Sequence, residues 1–236
     1  AGKHVVVDKP FTVTLAEARA LEALAGQAGR LLSVYHNRRW GADFLSLRKL
    51  IAGGELGEIM HFESHFDRYR PEVRNRWREQ AIAGSGLWYD LGSHLLDQAV
   101  QLFGMPQAIG LDTAIQRAGG QADDWFHATL RYGQRRVILH GSALVARVGP
   151  RFTVHGQKGS LIKYGLDTQE DALKAGVRPP AVDWGHDPEP MQLTCWTDGV
   201  ATQRDLACEP GNYPGYYAAV RDAVREEIRA ARRPMS

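Results

Sequence analysis

Three short segments carry side chains whose types suit acid–base chemistry. They are Asp8-Lys9-Pro10, His36-Asn37-Arg38-Arg39 and Asp90-Leu91-Gly92-Ser93-His94. The first two stand at the carboxyl ends of predicted strands, which is where open α/β sheets bind their ligands. Asp90 and His94 are one helical turn apart and would project from the same helix face. The sequence therefore predicts a pocket in which a lysine, a carboxylate and an imidazole converge.

These residue types suit the oxidation of an alcohol. An imidazole with an ordinary pKa of about 6.5 is a suitable general base for a hydroxyl proton at neutral pH. A lysine ammonium can hydrogen-bond the developing alkoxide and neutralise its charge. In this hypothesis His94 moves the proton, Lys9 stabilises the oxygen, and Asp90 holds the substrate or orients the histidine.

Each of these residues also has a purely structural interpretation. Asp90 stands just before a predicted helix and is expected to be its N-cap whatever else it does. Lys9 would then be a solvated loop lysine, and His94 a partly buried histidine. The pair of Asp90 and His94 is also typical of metal ligands, but the third ligand would have to be His36 or Asp97. No second cluster of metal-site spacing accompanies the pair, so no metal ligand is predicted.

An arginine-rich loop from Arg68 to Arg78 allows two interpretations. Loops of this composition are most often solvated. Arginine with an interleaved tryptophan, as in Arg76 and Trp77, can also grip a phosphate or stack on a ring. We therefore count both residues as candidate substrate ligands.

The hydrophobic periodicity predicts the elements that position these residues. A β-branched strand over residues 3–7, a helix from the Thr14/Glu17 capping box to Gly29 and a strand over 30–36 form a βαβ unit. Two further helices are predicted at 44–51 and 91–103, with a strand at 58–66 between them. The remaining predicted strands are at 107–116, 125–132, 135–145, 152–155, 161–164, 193–197 and 201–206. A long loop over 165–190 and a last helix over 213–233 complete the prediction.

This order of elements predicts an α+β fold of the α/β family. The hairpin-like spacing of the later strands indicates a large, mostly antiparallel open sheet with helices on one face. The first βαβ unit indicates the residual end of a doubly wound, Rossmann-type domain, so the expected domains are 1–38 and 39–236. In this interpretation the chain is expected to be a fragment that is truncated at both ends.

Composition and charge exclude several classes of protein. The 29 basic and 27 acidic residues leave a formal charge of +2, without the basic patch of a nucleic-acid-binding protein. No apolar run approaches the roughly 18 residues that span a bilayer, and no secretory leader is seen. Two cysteines make neither a disulfide framework nor a zinc site. We expect no membrane and no nucleic-acid partner, and a cytoplasmic location.

Three motifs together resemble the Gfo/Idh/MocA family of NAD(P)-dependent oxidoreductases, which includes glucose-fructose oxidoreductase and inositol dehydrogenase. The family pattern is Glu-Lys-Pro, then Asn-Arg-Arg, then a glycine-rich segment leading to Asp-x-Gly-x-His. The corresponding segments here are Asp8-Lys9-Pro10, Asn37-Arg38-Arg39 and the run from Gly84 to His94. Their order, over essentially the whole chain, is what makes the resemblance specific. Asp8 in place of glutamate is a conservative departure.

The resemblance implies a role for each candidate residue. Lys9, Asp90 and His94 would be catalytic, with Lys9 bridging the nicotinamide ribose and the substrate across a cis Lys9–Pro10 bond. The implied cofactor ligands are Lys9, Pro10, Asn37 and Arg38. The implied substrate ligands are Lys9, His36, Arg76, Trp77, Asp90 and His94. Residues 1–38 would be the remnant of the dinucleotide-binding domain, and 39–236 the substrate-binding and oligomerisation domain, like the C-terminal domain of glucose-fructose oxidoreductase.

One part of the family pattern is missing. The G-x-G-x-x-G sequence that cradles the pyrophosphate, and the acidic residue about 20 positions later, do not occur in this chain. NAD or NADP is therefore expected to bind the full-length parent, which would act on a sugar, polyol or related hydroxy or keto compound. The 236-residue chain alone is expected to be inactive. The family also implies a homo-oligomer through the open sheet face.

Two other classes of function remain open at this point. A non-catalytic binding or assembly module of the same fold would use the sheet face without chemistry. A metal-dependent hydrolase or isomerase would need a stoichiometric divalent cation.

Overall fold

The computed structural model describes residues 2–231, without the side chains of residues 227–231. Ten strands and five α-helices are found in this part of the chain. The strands are β1 (Val5–Val7), β2 (Leu32–Val34), β3 (Ile59–Asp67), β4 (Ala108–Ala114), β5 (Trp125–Tyr132), β6 (Arg135–Ser142), β7 (Phe152–Gly156), β8 (Gly159–Lys163), β9 (Met191–Thr197) and β10 (Val200–Leu206). The helices are α1 (Leu15–Gln27), α2 (Ala42–Gly53), α3 (Ser93–Phe103), α4 (Gln169–Lys174) and α5 (Pro214–Ala231).

The first βαβ unit forms as predicted. β1 and β2 pair in parallel, with Val5 opposite Leu32, and α1 connects them. The capping box is confirmed, since the Thr14 hydroxyl accepts from the Glu17 N–H while the Glu17 carboxylate accepts from the Thr14 N–H. No residue of α1 is buried, and Leu24 is 61% exposed. The unit therefore presents apolar side chains that nothing in the described chain covers.

The second sheet has eight strands in the order β10-β9-β8-β7-β3-β6-β5-β4. The predicted antiparallel strands form two meanders, β4 to β6 and β7 to β10. β3, which comes earlier in the chain, lies between them, antiparallel to β7 and parallel to β6. The fold class is confirmed, and the parallel pair of β3 and β6 is the detail that hairpin spacing could not predict.

One face of this sheet carries the hydrophobic core. The side chains of β3 alternate between fully buried and half-buried from Phe62 to Asp67. Phe62 and Phe66 point toward α2 and α3, where Phe44 and Leu95 join the same cluster. Because strand side chains alternate, His61, Glu63, His65 and Asp67 lie on the opposite face, which we call the outer face.

The interval 165–190 was wrongly predicted to be a loop throughout, because it contains α4. Gln169 at the start of α4 is completely buried. Its side-chain amide donates to the Trp40 carbonyl at 3.0 Å and accepts from the Tyr213 N–H at 2.7 Å. These contacts hold a helix of one and a half turns that is too short to show a periodicity.

The end of the last helix, the cysteines and the helix hydropathy can also be compared with the sequence-based predictions. The last helix runs to Ala231, and the predicted residues 232–233 lie outside the described residues. Both cysteines are free thiols. In residues 2–231 no helix has the length and apolarity needed to cross a bilayer.

Candidate functional site

A cavity of about 710 Å³ opens where the carboxyl ends of β1, β2 and β3 come together. Its volume is within the range of small-molecule sites. The predicted site residues in its wall are Lys9, Asn37, Arg38, Arg76, Asp90 and His94. The other three predicted residues, Pro10, His36 and Trp77, are not in the wall. The structure thus brings together residues that are more than 80 positions apart in the sequence.

Lys9 and Asp90 form the centre of this site. The Lys9 ammonium donates to the Asp90 carbonyl at 2.5 Å and to its carboxylate Oδ1 at 3.0 Å. The Lys9–Pro10 bond is cis. Burial alone would raise the pKa of Asp90, but the charge and hydrogen bond of Lys9, with Arg78 and Arg68, bring it below its ordinary value. Asp90 is therefore a carboxylate at neutral pH.

The prediction that Asp90 caps the following helix is wrong. α3 begins at Ser93, its N-cap is Gly92, and no side chain caps it. Asp90 instead lies within a π-helical turn, Trp88–Gly92, that leads directly into α3. Asp90 thus lies inside this wider turn and caps no helix. Its carboxylate pairs with Lys9 instead.

Asp123, which the sequence analysis did not single out, holds the start of the π-helical turn. Its backbone carbonyl accepts from the Leu87 N–H at 2.8 Å, and its carboxylate accepts from the Trp88 N–H at 2.7 Å. The approach is possible because residue 86 is glycine. A Cβ on Gly86 would lie 1.9 Å from the Asp123 carboxylate, and its φ of +91° also favours glycine.

His94 lies in the wall of the cavity on the first turn of α3. It is 5% exposed, and its Nδ1 atom has no hydrogen-bond partner. Burial, followed by the positive charges of Lys9 and Arg38, lowers the pKa of His94 to about 2. The ring is therefore neutral at pH 7. The His36 ring packs against it, with centroids 6.5 Å apart.

The arginine-rich loop contributes to the site through more residues than predicted. Arg68, Arg70 and Arg78 line the cavity beside Arg76. The Arg78 Nε is 3.3 Å from Asp90 Oδ1, and an Arg68 guanidinium nitrogen is 3.9 Å from Asp90 Oδ2. Burial and the neighbouring Arg70 lower the pKa of Arg68 to about 10. The loop therefore forms a wall of hydrogen-bond donors in the cavity.

Arg76 and Trp77 are placed differently from each other. Arg76 lines the cavity, and its Nε donates to the Glu79 carboxylate at 2.7 Å. Trp77 is 46% exposed and lies under the Arg78 guanidinium, 4.7 Å from the ring centroid to the guanidinium carbon. The tryptophan thus supports an arginine of the wall and does not face the cavity itself.

α4 supplies three further residues that sequence reasoning missed. Glu170 forms an ion pair with Arg38, and Glu170, Asp171 and Lys174 all line the cavity. Lys174 also pairs with Glu170 at 2.9 Å, one turn away on α4. The i,i+4 spacing of Glu170 and Lys174 was the available signal, but it is shared by many solvated helix faces.

The Asp97 carboxylate forms an ion pair. The Arg39 guanidinium binds its carboxylate through two nitrogens, at 2.8 and 2.5 Å. The nearest His36 nitrogen is 4.0 Å from the same carboxylate. This arrangement fixes the loop after β2 against α3.

Sequence models of one known protein family match most of this chain. The sequence model described as "Oxidoreductase family, C-terminal alpha/beta domain" of Gfo/Idh/MocA proteins matches residues 48–234. The chain belongs to the Gfo/Idh/MocA family. The model of the same family's NAD-binding Rossmann fold matches residues 1–36. The predicted resemblance is therefore confirmed.

Several Gfo/Idh/MocA relatives cover nearly all of this chain. An uncharacterized oxidoreductase of Escherichia coli is 59% identical over 95% of the chain and 65% of its own length. A scyllo-inositol 2-dehydrogenase (NADP(+)) of Bacillus subtilis is 45% identical over 96% of the chain and 64% of its own length. The structure of an oxidoreductase from Yersinia pestis superposes with a TM-score of 0.91 at 57% identity, over 96% of this chain and 64% of that one. The chain thus spans about 65% of the length of these two curated relatives.

The side chains at the ends of β1 and β2 fit one part of the nicotinamide cofactor that the Gfo/Idh/MocA family uses. Lys9, Asn37 and Arg38 offer N–H donors at the edge of the sheet where dinucleotides bind in open α/β folds. Such donors suit the hydroxyls and amide of a nicotinamide riboside. The phosphate cradle, in contrast, has no counterpart in this sequence.

Proposed function

We propose that this chain carries the substrate site and the proton-transfer residues of an NAD(P)-dependent oxidoreductase. The substrate would be a sugar, a polyol or a related hydroxy or keto compound. The observation that carries the proposal is the contact of the Lys9 ammonium with Asp90 in the same cavity as the buried, neutral His94. The scyllo-inositol 2-dehydrogenase relative acts on a compound of this class by its name.

The nicotinamide, when bound, would exchange a hydride with the carbon of the reacting CH–OH group. The residues of this chain handle the oxygen and its proton. A lysine ammonium has three N–H donors, and Asp90 occupies two directions of Lys9 through its carbonyl and Oδ1. The remaining N–H of Lys9 is available for the substrate oxygen, where it stabilises the negative charge that develops as the proton leaves.

His94 is the group that accepts that proton in the oxidation direction. A general base must be unprotonated, and the burial of His94 together with the charges of Lys9 and Arg38 keeps it so at neutral pH. The negative charge that forms on the substrate oxygen favours the protonated ring, so the proton can be held during the reaction. In the reduction direction the same imidazolium returns it.

The arginine wall defines what kind of molecule fits the rest of the cavity. Arg68, Arg70, Arg76 and Arg78 present donors and no acceptors. A compound rich in hydroxyl oxygens can accept several of these hydrogen bonds at once. The donors therefore support a polyhydroxylated substrate over an apolar alcohol.

Initial-rate assays of the full-length protein test the proposal. NAD and NADP, each with a panel of sugars, polyols and small carbonyls, should reveal turnover with at least one pairing. Absence of nicotinamide-dependent turnover across the panel, in protein shown to bind the cofactor, would contradict it.

We further propose that residues 1–38 are the last part of the cofactor domain, and that residues 39–236 form the substrate-binding and oligomerisation domain. The exposed valines of β1, 47% for Val5 and 45% for Val6, support this, because strands of such composition pack in the middle of parallel sheets. The 236-residue chain by itself should then lack tight cofactor binding and turnover.

Titration of NADH and NADPH into the 236-residue chain checks this prediction. No saturable change in nicotinamide fluorescence is expected, because the G-x-G-x-x-G sequence that cradles the pyrophosphate does not occur in this chain. The full-length protein is the positive control. Micromolar affinity in the 236-residue chain would overturn the prediction.

A further inference from the structure

A compact group of metal-binding side chain types lies on the outer face of the large sheet, on the parallel strands β3 and β6. His65 of β3 is directly opposite His140 of β6 in the strand register. Asp67 is two residues farther along β3 and therefore on the same face. One ligand atom from each of the three residues lies within 4.8 Å of the others.

The distances within this group match those of a metal site better than those of hydrogen bonds. His65 Nδ1 is 3.3 Å from Asp67 Oδ2, and His140 Nε2 is 3.6 Å from Asp67 Oδ1. Good N–H···O hydrogen bonds are about 2.7–3.2 Å long. Two ligand atoms that each lie about 2.0–2.1 Å from a tetrahedral zinc ion are about 3.4 Å apart. Each histidine is thus separated from one oxygen of the Asp67 carboxylate by about the distance between two ligands of a small cation.

Glu63 orients His65 in the way that a metal ligand requires. A Glu63 carboxylate oxygen is 3.0 Å from His65 Nε2, and its other oxygen is 2.7 Å from His61 Nε2. A carboxylate only accepts, so Nε2 of His65 carries its proton there. The Nδ1 lone pair of a neutral His65 then points at the Asp67 carboxylate. Carboxylate, histidine and metal in this order are the usual arrangement around protein-bound zinc.

The Asp67 carboxylate supplies a further sign of an incomplete site. Its side chain is only 7% exposed, yet its Oδ1 accepts no hydrogen bond. A buried carboxylate oxygen without a partner is costly.

We propose that His65, Asp67 and His140 bind one divalent transition metal of the zinc type. Two imidazole nitrogens and a carboxylate oxygen suit such a cation, and a fourth position is left for water. The bound metal would link β3 to β6, the parallel pair that joins the two meanders of the sheet. Asp67 also lines the cavity that holds Lys9, Asp90 and His94, whereas His65 and His140 do not. The proposal uses none of Lys9, Asp90 and His94 and does not depend on the proposed oxidoreductase function.

Zinc titration of the chelator-treated full-length protein by calorimetry tests this site. One equivalent of zinc per chain is expected to bind the wild type, and that equivalent should be lost in His140→Gln. His155→Gln is the matched control, because His155 lies on the same outer face of β7, stacked on His61 and outside the group. It should keep the full equivalent. Zinc should also raise the thermal midpoint of the wild type but not that of His140→Gln.

Zinc soaks of wild-type crystals test the same site and do not depend on the folding of a variant. An anomalous peak bounded by His65, Asp67 and His140 is expected. Absence of zinc from this position, or a stoichiometry that His140→Gln and His65→Gln leave unchanged, would overturn the proposal. A peak only at His94 would do the same.

Discussion

At the level of single residues, the proposed function depends on the placement of Lys9, Asp90 and His94 and on the protonation states of Asp90 and His94. The sequence allowed these three to be chosen, because a lysine after a strand and an aspartate–histidine pair on a helix are recognisable. It could not show that His94 is buried, nor that Arg68 and Arg78 reach Asp90. The contacts of Arg68 and Arg78 with Asp90 depend on the path of the loop from Arg68 to Arg78, which leaves no periodic signal.

The buried state of His94 predicts a specific pH dependence of stability. Its pKa is lowered from 6.5 to about 2 on folding, so between these values the unfolded chain binds a proton that the native protein does not. Stability contributed by this residue is therefore lost as the pH falls below about 6.5. Between pH 7 and pH 5 the loss is about 2 kcal/mol, on the basis of about 1.4 kcal/mol per pH unit for one proton.

Urea unfolding of wild type and His94→Gln at pH 7 and pH 5 measures this contribution. The variant should lose about 2 kcal/mol less than the wild type over this interval. His155→Gln, which replaces an exposed histidine, is the control and should behave as the wild type. An identical loss in wild type and His94→Gln would show that burial does not hold His94 neutral.

At the scale of elements, the site depends on the π-helical turn Trp88–Gly92 and on the segment before it. The periodicity after Asp90 predicted a helix. The wider turn before this helix was not predictable, because it requires the Asp123 carboxylate, which is 33 residues beyond Asp90, to accept from the Trp88 N–H. α4 was not predictable for a similar reason. Its helical conformation depends on the burial of Gln169 and not on a periodicity of its own sequence.

Gly86→Ala should therefore damage both stability and activity. The new Cβ would clash with Asp123 and would strain a φ of +91°, which together should cost about 2–3 kcal/mol. The displaced turn would carry Asp90 away from Lys9, so turnover should also fall.

Gly119→Ala separates the clash from the backbone strain. Gly119 has a φ of +74° but open space where the Cβ would be. This variant should lose only about 1 kcal/mol in chemical unfolding and should keep its activity. Equal losses of stability in the two variants would mean that the contact between Gly86 and Asp123 is unimportant.

At the scale of the whole molecule, the sequence predicted the fold class but not the strand order. Phe126 of β5 and Leu139 of β6 are completely buried on the face of the sheet that carries the core. Nothing local indicated that β3 inserts between β6 and β7. That insertion aligns His65 with His140, so the proposed metal site could not be recognised from the sequence.

The outer face leads to a prediction about assembly. Helices α2 and α3 pack on the other face, and the outer face carries the half-buried Ile138 of β6. We propose that a second copy of the protein packs here, as the family resemblance implies. Ile138→Arg should then shift the full-length protein toward monomer in sedimentation equilibrium.

Ile109→Arg is the matched control for this experiment. Ile109 is opposite Leu130 in the register and therefore faces away from the outer face, where it is 50% exposed. Its replacement should leave the oligomeric state unchanged. A wild type that sediments as a monomer would contradict the proposal.

The most direct test of the central claim is the turnover of His94→Gln in the full-length protein, at saturating cofactor and substrate. Glutamine keeps hydrogen-bonding groups in the cavity but cannot accept the proton, so kcat should fall by about 10²–10⁴-fold while the affinity for NADH or NADPH is retained. His155→Gln should turn over as the wild type does. A His94→Gln variant with wild-type kcat would contradict the assignment of His94 as the proton-transferring residue.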